Sequence, residues 1–274
     1  MPQSLTTPIP QVQSQATKAI EDIFAGALAW PLWGHFGWND IRQHYRRSTI
    51  GPLWITISMG IMIGSLGFLY SYLFHQDIAD YLPFLAAGFI LWNLIASLIN
   101  EGCLNFINAS SIIKQARVPL SVHVFRMVWK NIIIFFHNIL VLILVMIWFG
   151  YWPGWEVVLA LPGLLLIILN GLWLGLLLGT LSARFRDIPS LVASVVQIAF
   201  FLTPILWKPD MRADLVYVVT LNPFYHLMEV VRAPLLGQSP ELQTWLVACG
   251  MTATGWLASF LFYQKFRKRI AYWL

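Results

Sequence analysis

The chain has 274 residues, of which 58% are hydrophobic and only 11% are charged. Soluble domains carry about 25% charged residues, so this composition excludes an ordinary soluble protein and predicts an all-α polytopic membrane protein. The net charge of +5 does not indicate nucleic-acid binding, because the basic residues stand beside apolar runs and suit a membrane surface better.

The N-terminal region divides into two predicted segments. Residues 1–19 are polar and rich in Gln, Ser, Thr and Pro, which predicts a disordered cytosolic tail rather than a signal peptide. Residues 20–51 combine apolar positions at helical spacing with a cluster of aromatic and basic side chains. This pattern predicts an amphipathic helix lying in the cytoplasmic interface of the membrane. The alternative is an ordinary soluble cap.

Six apolar stretches follow that qualify as spans, since crossing ~30 Å of hydrocarbon needs roughly 20 residues. They cover residues 52–74, 82–100, 121–149, 157–183, 190–207 and 242–263. We therefore predict a six-helix transmembrane domain over residues 52–264 and a basic cytosolic tail over 265–274. Between the fifth and sixth stretches, residues 208–238 contain two short apolar segments. They predict a helical hairpin re-entering the outer leaflet, the alternative being an extracellular loop.

The charged residues predict the orientation in the membrane. Lys and Arg are concentrated before the first span, in the 101–120 and 184–189 loops, and at the C-terminus. The opposite loops 75–81 and 150–156 contain no Lys or Arg and carry Asp77, Asp80 and Glu156. The positive-inside rule then predicts that both termini are cytoplasmic.

The third span carries a stripe of polar side chains. His123, Arg126, Lys130 and His137 fall within an arc of about 60° on a helix, which suggests a channel lining for an anionic or hydroxylated substrate. Alternatively, the cations extend to the interface and His137 bonds a neighbouring helix. No Asp or Glu stands in the middle of a predicted span, which argues against an ion-coupled carrier.

Two glycine patterns lie in the predicted spans. Gly60 and Gly64, and the ladder Gly171, Gly175 and Gly179, predict close helix packing within one chain or between two.

The sequence has no P-loop, no HExxH motif and no metal-ligand spacing of His or Cys. We therefore expect no enzyme activity and no cofactor in this chain, and energy supplied by a partner.

The run DIRQHYRRSTIGPLW at residues 40–54 resembles the RYRRS-x-LGPLW signature that opens the first span of bacterial polysaccharide-export permeases. Further similarity lies in the segments YLPFLAAG (81–88), NEG (100–102), VPL (118–120), RFRDI (184–188) and LNPF (221–224). The resemblance covers residues 35–265 and is to the membrane subunits of type-2 ABC exporters for O-antigen, capsule or teichoic acid. The Val124–Asn138 stretch is most similar to O-antigen members.

The resemblance implies a permease of the bacterial inner membrane, working as a homodimer of twelve helices around a channel. A separate ATPase subunit would bind ATP and Mg, and the substrate would be a glycan on polyprenyl pyrophosphate. The rivals are a capsule, teichoic acid or drug exporter, an ion-coupled lipid or sugar flippase, and an intramembrane lipid-modifying enzyme.

Three further sets of residues receive roles as hypotheses. Arg42, Arg46 and Arg47 would bind the pyrophosphate, the alternative being that they only anchor the topology. A helix between the second and third spans would couple to the ATPase subunit through Phe106, Ile107, Ile112, Ile113, Lys114 and Arg117, the alternative being a surface helix without a partner. An outer gate would be formed by Asn222, Pro223, Phe224 and Tyr225.

Overall fold

The computed structural model describes residues 14–44, 46, 48–209 and 216–274, and the regular structure among them is entirely helical. The α-helices are α1 Gln15–Leu28, α2 Trp30–His44, α3 Leu53–Leu73, α4 Ile78–Asn108, α5 Ser110–Gln115, α6 Ser121–Trp148, α7 Ala160–Arg184, α8 Ile188–Leu202, α9 Val216–Thr220, α10 Pro223–Leu235 and α11 Leu242–Trp273. A short 3-10 helix, Trp155–Leu159, leads into α7.

Five helical segments among the described residues are long and apolar enough to cross a membrane. They are α3, α4 with α5, α6, the 3-10 helix with α7, and α11. These five correspond to the first, second, third, fourth and sixth predicted spans.

The fifth predicted span, residues 190–207, is helical only as far as Leu202. Its helix α8 has 15 residues, or about 22 Å at 1.5 Å per residue, which is less than a ~30 Å hydrocarbon core. The helix ends because Thr203 precedes a proline and adopts an extended backbone. Six full helical spans are therefore not confirmed.

Helical structure extends into both predicted tails. Helix α1 begins at Gln15, where Ser14 accepts a hydrogen bond from Thr17 N at 3.1 Å, so the last residues of the predicted tail 1–19 are helical. Residues 1–13 lie outside the described part. The predicted basic tail 265–274 continues α11 to Trp273, and Ile270 is fully buried in it.

Helix α4 is the centre of the bundle. It begins four residues earlier and ends eight residues later than predicted, and it packs against α3, α6, α7, α8 and α10. Its crossing with α7 is tight, since Asn105 donates a hydrogen bond to Gly175 O at 2.9 Å. A Cβ atom at Gly171 would lie 2.9 Å from Leu98, so the glycine ladder serves packing within one chain. Gly64 has open space around it.

The connections gather at two ends of the bundle. The basic end holds α1, α2, α5, the turn at 185–187 and the C-terminus, where Arg186 donates to Leu274 O. The opposite end holds the turns at 74–77, 149–159 and 236–241, where Tyr151 donates to Leu236 O.

The part of the chain predicted to form a hairpin contains two helices, α9 and α10, joined at Asn222; the structure does not confirm its re-entry into the outer leaflet. Helix α10 packs against α4, α7 and α11, and Val230 within it is fully buried. The hairpin is therefore a packed part of the bundle rather than a loose loop. Residues 210–215, at its start, lie outside the described part.

Candidate functional site

Helices α1 and α2 lie against α6 at the basic end. Trp33 of α2 stacks on Phe125 with ring centroids 6.0 Å apart and meets Trp129 edge-on at 5.8 Å. Gly37 permits this close approach, because a Cβ there would lie 3.1 Å from Arg126 O. The aromatic cluster of the predicted interface segment is thus used partly to dock α2 on α6.

Arg126 forms a bidentate ion pair with Asp40 of α2. Its Nε lies 2.7 Å from one carboxylate oxygen and its Nη2 lies 2.5 Å from the other. The guanidinium also lies 5.4 Å from the ring centroid of Phe36. The bidentate ion pair and the contact between the guanidinium and the Phe36 ring together hold α2 in position on α6.

Lys130, one turn further along α6, pairs with Glu101 of α4. Its Nζ lies 2.7 Å from the carboxylate, which also accepts a hydrogen bond from Asn131 at 2.8 Å. Glu101 stands two turns before the end of α4 because the helix continues to Asn108. Glu101 lies just outside the predicted span 82–100, whereas the structure places it inside α4 beside a cation.

These two ion pairs border a cavity of about 450 Å³ between α2, α4 and α6. Its polar lining comprises Asp40, Glu101, Asn105, Asn108, His123, Arg126 and Lys130. His123 is 2% exposed and neither ring nitrogen has a hydrogen-bond partner among the described residues. We call this space the paired-charge cavity.

The predicted stripe on α6 is therefore divided. His123, Arg126 and Lys130 line the paired-charge cavity. His137 is not part of its lining, and its Nδ1 lies 2.8 Å from Ile133 O of its own helix. Sequence reasoning grouped the four by helical phase but could not identify Asp40 and Glu101 as partners, since both lie on other helices.

A second cavity, of about 410 Å³, lies where α2 meets the start of α3. Its lining residues are Asn39, Arg42, Gln43, Arg46 and Pro52. Arg42 and Arg46 are four residues apart, are both exposed and both line this cavity. We call this the arginine cavity. The third predicted arginine, Arg47, lies outside the described residues.

The predicted coupling residues lie in two different environments. Phe106 belongs to α4 and is fully buried in the core, so the expectation that it seats in a partner is wrong. Ile107, Ile112 and Ile113 are partly buried, and Ile113 packs against the core. Lys114 and Arg117 are both exposed. Helix α5 with its charged end remains the accessible part of this segment.

The predicted outer gate residues hold the hairpin to its neighbours. Asn222 caps α10 by accepting from Phe224 N at 2.9 Å and donates to Thr203 at 2.9 Å. Phe224 meets Trp92 of α4 edge-on at 5.8 Å. Pro223 is the first residue of α10, where a proline is well tolerated.

A third cavity, of about 520 Å³, lies beside the hairpin at the opposite end and includes Tyr225. Arg232 in its wall is 1% exposed, pairs with Glu229 at 2.6 Å, donates to Pro204 O at 2.6 Å and lies over Phe84. A lone arginine in the apolar run VVRAPL was the sequence signal for this buried cation, and sequence reasoning missed it.

Tyr151 lines the same cavity from the turn outside the spans. Burial, and secondarily the nearby carboxylate of Asp80, raise the pKa of its phenol. The hydroxyl therefore stays protonated and donates to Leu236 O, which ties two turns together.

Comparison with known proteins adds family information to this geometry. The profile of the family described as ABC-2 type transporter matches residues 32–236. An O-antigen export system permease protein RfbA of Myxococcus xanthus is 23% identical over 198 residues, covering 71% of this chain and 76% of that protein. Proteins of the same description from Klebsiella pneumoniae are 26% identical over 188 residues and 25% over 190, each covering 68% of this chain and 72% of the relative.

Proposed function

This chain belongs to the ABC-2 type transporter family, and from that premise we propose that it is the permease subunit of an ATP-driven exporter of O-antigen. The substrate is a polysaccharide carried on polyprenyl pyrophosphate across the bacterial cytoplasmic membrane. The resemblance to type-2 ABC exporter permeases, stated from the sequence motifs, is confirmed by the family match. The observation that carries the proposal is that the matched region, residues 32–236, extends from α2 to α10 and so includes the interface helix α2 and the hairpin.

In the membrane, the basic end faces the cytoplasm and the opposite end faces outward, with both termini cytoplasmic. The distribution of Lys and Arg supports this orientation. Helix α8, too short to cross alone, completes a sixth crossing together with residues 203–209 and the packed hairpin. Irregular backbone at that depth is tolerated because protein surrounds it; Pro204 O, for example, accepts from buried Arg232.

The arginine cavity receives the pyrophosphate. Arg42 and Arg46 line one space with Pro52, at the start of the first span, and Arg47 follows directly in sequence. Guanidinium groups bind phosphate oxygens through charge-assisted hydrogen bonds, often two at a time. Their exposure at the cytoplasmic interface supports the role, since a lipid headgroup must approach from there.

Two copies of the chain and two ATPase subunits form the transporter. ATP and Mg bind in the ATPase subunit, and helix α5 with Lys114 and Arg117 contacts it at the basic end. Residues of the hairpin, Asn222 to Tyr225, act as the outer gate, and the α6 stripe lines the path of the glycan. Family membership and the accessibility of α5 support this arrangement.

Co-reconstitution with the ATPase subunit tests the proposal. The chain is purified with and without a candidate ATP-binding protein encoded beside it, and ATP hydrolysis is measured in lipid vesicles. Activity confined to the complex, and stimulated by polyprenyl-linked glycan, is expected. A chain that moves lipid-linked sugar alone under an ion gradient would contradict it and establish the rival flippase.

That rival has one observation in its favour, the position of Glu101 inside α4. Ion-coupled carriers place an acid at membrane depth. Here the carboxylate is 2.7 Å from Lys130 and accepts from Asn131, so its charge is already balanced within the protein. An acid already paired with a cation is poorly suited to binding and releasing a coupling ion.

A further inference from the structure

We propose that the paired-charge cavity binds the sugar residue next to the pyrophosphate, by hydrogen bonds to its hydroxyl groups. This inference rests on the proposed function and deepens it, since it assigns a second recognition site for the same lipid-linked substrate. The ligand class is a neutral, hydroxyl-rich ring rather than an anion.

The first observation is the unmet hydrogen-bonding capacity of buried groups. Both ring nitrogens of His123 lack a partner among the described residues, and His123 lines the cavity. Buried polar groups are nearly always hydrogen-bonded, because leaving them unpaired is costly. These atoms therefore mark where a polar ligand, or the water it displaces, is bound.

The second observation is the charge balance. Arg126 is held by both oxygens of Asp40, and Lys130 is held by Glu101. Two cations and two carboxylates cancel, so no cation is left over to bind a phosphate. What remains is a mixture of donors and acceptors: imidazole and amide groups, and the further lone pairs of the carboxylates. That mixture matches hydroxyl groups, each of which both donates and accepts.

The third observation is size and position. The volume of about 450 Å³ lies within the usual range of ligand pockets, about 300–1,000 Å³. Helix α2 contributes Asp40 to this cavity and the neighbouring Asn39 to the arginine cavity. A substrate whose pyrophosphate is held by Arg42 and Arg46 thus has its attached sugar at the helix that borders the paired-charge cavity.

Lipid binding to the full-length permease, reconstituted in nanodiscs with its ATPase subunit, tests the assignment. The probes are polyprenyl pyrophosphate alone and the same lipid bearing one hexose, glucose in one preparation and N-acetylglucosamine in another. The wild-type protein is expected to bind a sugar-bearing lipid at least about tenfold more tightly than the bare lipid, as hydrogen bonds made in a buried site provide.

Two variants locate that preference. His123→Leu is expected to weaken binding of the sugar-bearing lipid about tenfold and to leave the affinity for the bare lipid unchanged. Asn108 lines the cavity at an exposed position, so replacing it does not disturb the core. Asn108→Ala should also reduce the preference of the protein for the sugar-bearing lipid over the bare lipid. His35→Leu, on the exposed face of α2, is the matched control and should change neither affinity.

The outcomes separate the two proposals. If His123→Leu and Asn108→Ala leave the ratio between the two lipids unchanged, or the wild-type protein shows no preference, the sugar site is overturned while the proposed function stands. If the wild-type protein binds neither lipid, the proposed function is overturned with it.

Discussion

Three helices converge on one carboxylate, that of Asp22 in α1. It accepts hydrogen bonds from Ser121 N at 3.1 Å and from Tyr263 at 2.8 Å, and it pairs with Arg267 at 3.1 Å. Because Ser121 begins α6, the acid also lies at the positive end of that helix. Asp22 is therefore a buried link between α1, α6 and α11.

Replacing Asp22 tests this link. Asp22→Ala should destabilise the protein by about 3 kcal/mol, because it leaves buried donors and a cation without their acceptor. The measurement is the thermal unfolding midpoint of the purified protein in detergent, followed by circular dichroism. Asp77→Ala, which removes only an exposed helix cap, should cost about 1 kcal/mol. Equal midpoints for the two variants would contradict the inference.

The arginine cavity gives a second prediction at the residue scale. Replacing both Arg42 and Arg46 by Ala should abolish export, because each charge-assisted hydrogen bond to phosphate contributes about 1.5–3 kcal/mol. Surface O-antigen is measured by gel electrophoresis and antibody staining. Lys18→Ala, at the same end, should export normally.

Membrane insertion and binding of the ATPase subunit should be unchanged in the double variant. Export at the normal level would show that the arginines do not receive the substrate. A changed topology would show that they act as anchors under the positive-inside rule.

At the scale of elements, glycine decides how closely helices approach. Gly163 of α7 lies against α10, where a Cβ would come within 2.5 Å of Val230 O. At Gly175 the closest atom would be a side-chain methyl of Val124 at 2.7 Å. A neighbouring backbone moves aside less readily than the end of a side chain. Gly163 should therefore tolerate a larger residue less well than Gly175, although both lie on α7.

This difference predicts an order of stability. Gly163→Ala should cost about 1–3 kcal/mol because packed backbones must separate, and Gly175→Ala should cost less. Gly250→Ala, which meets open space in α11, should be neutral or slightly stabilising, since alanine favours helices. Unfolding midpoints in detergent give the order. A Gly163→Ala protein as stable as Gly250→Ala would contradict the close α7–α10 contact.

At the scale of the whole molecule, the orientation is testable by labelling. In a chain whose Cys103 and Cys249 are replaced by Ala, a cysteine introduced at Gln238 should react with a membrane-impermeant maleimide from outside. One introduced at Gln115, at the basic end, should react only after permeabilisation. Both positions are exposed, so access alone determines the result. The reverse labelling pattern would overturn the proposed topology.

Much of the fold could be predicted because hydropathy and charge are local properties. Apolar runs of about 20 residues predicted the helices Leu53–Leu73 and Ser121–Trp148 to within a residue or two. The helix α8 was predicted too long because Pro204 stands inside an apolar run, and hydropathy does not register where a helix must end.

The amino-acid sequence by itself determined the class of protein, the positions of most helices and, through the DIRQHYRRSTIGPLW run, the family. Only the tertiary structure decided that Arg126 meets Asp40, that Lys130 meets Glu101 and that Phe106 is buried. Asp40 lies 86 residues from Arg126 along the chain. Helical periodicity predicts which side chains of α6 share a face. Only the packing of α2 and α4 on α6 determines which residues contact that face.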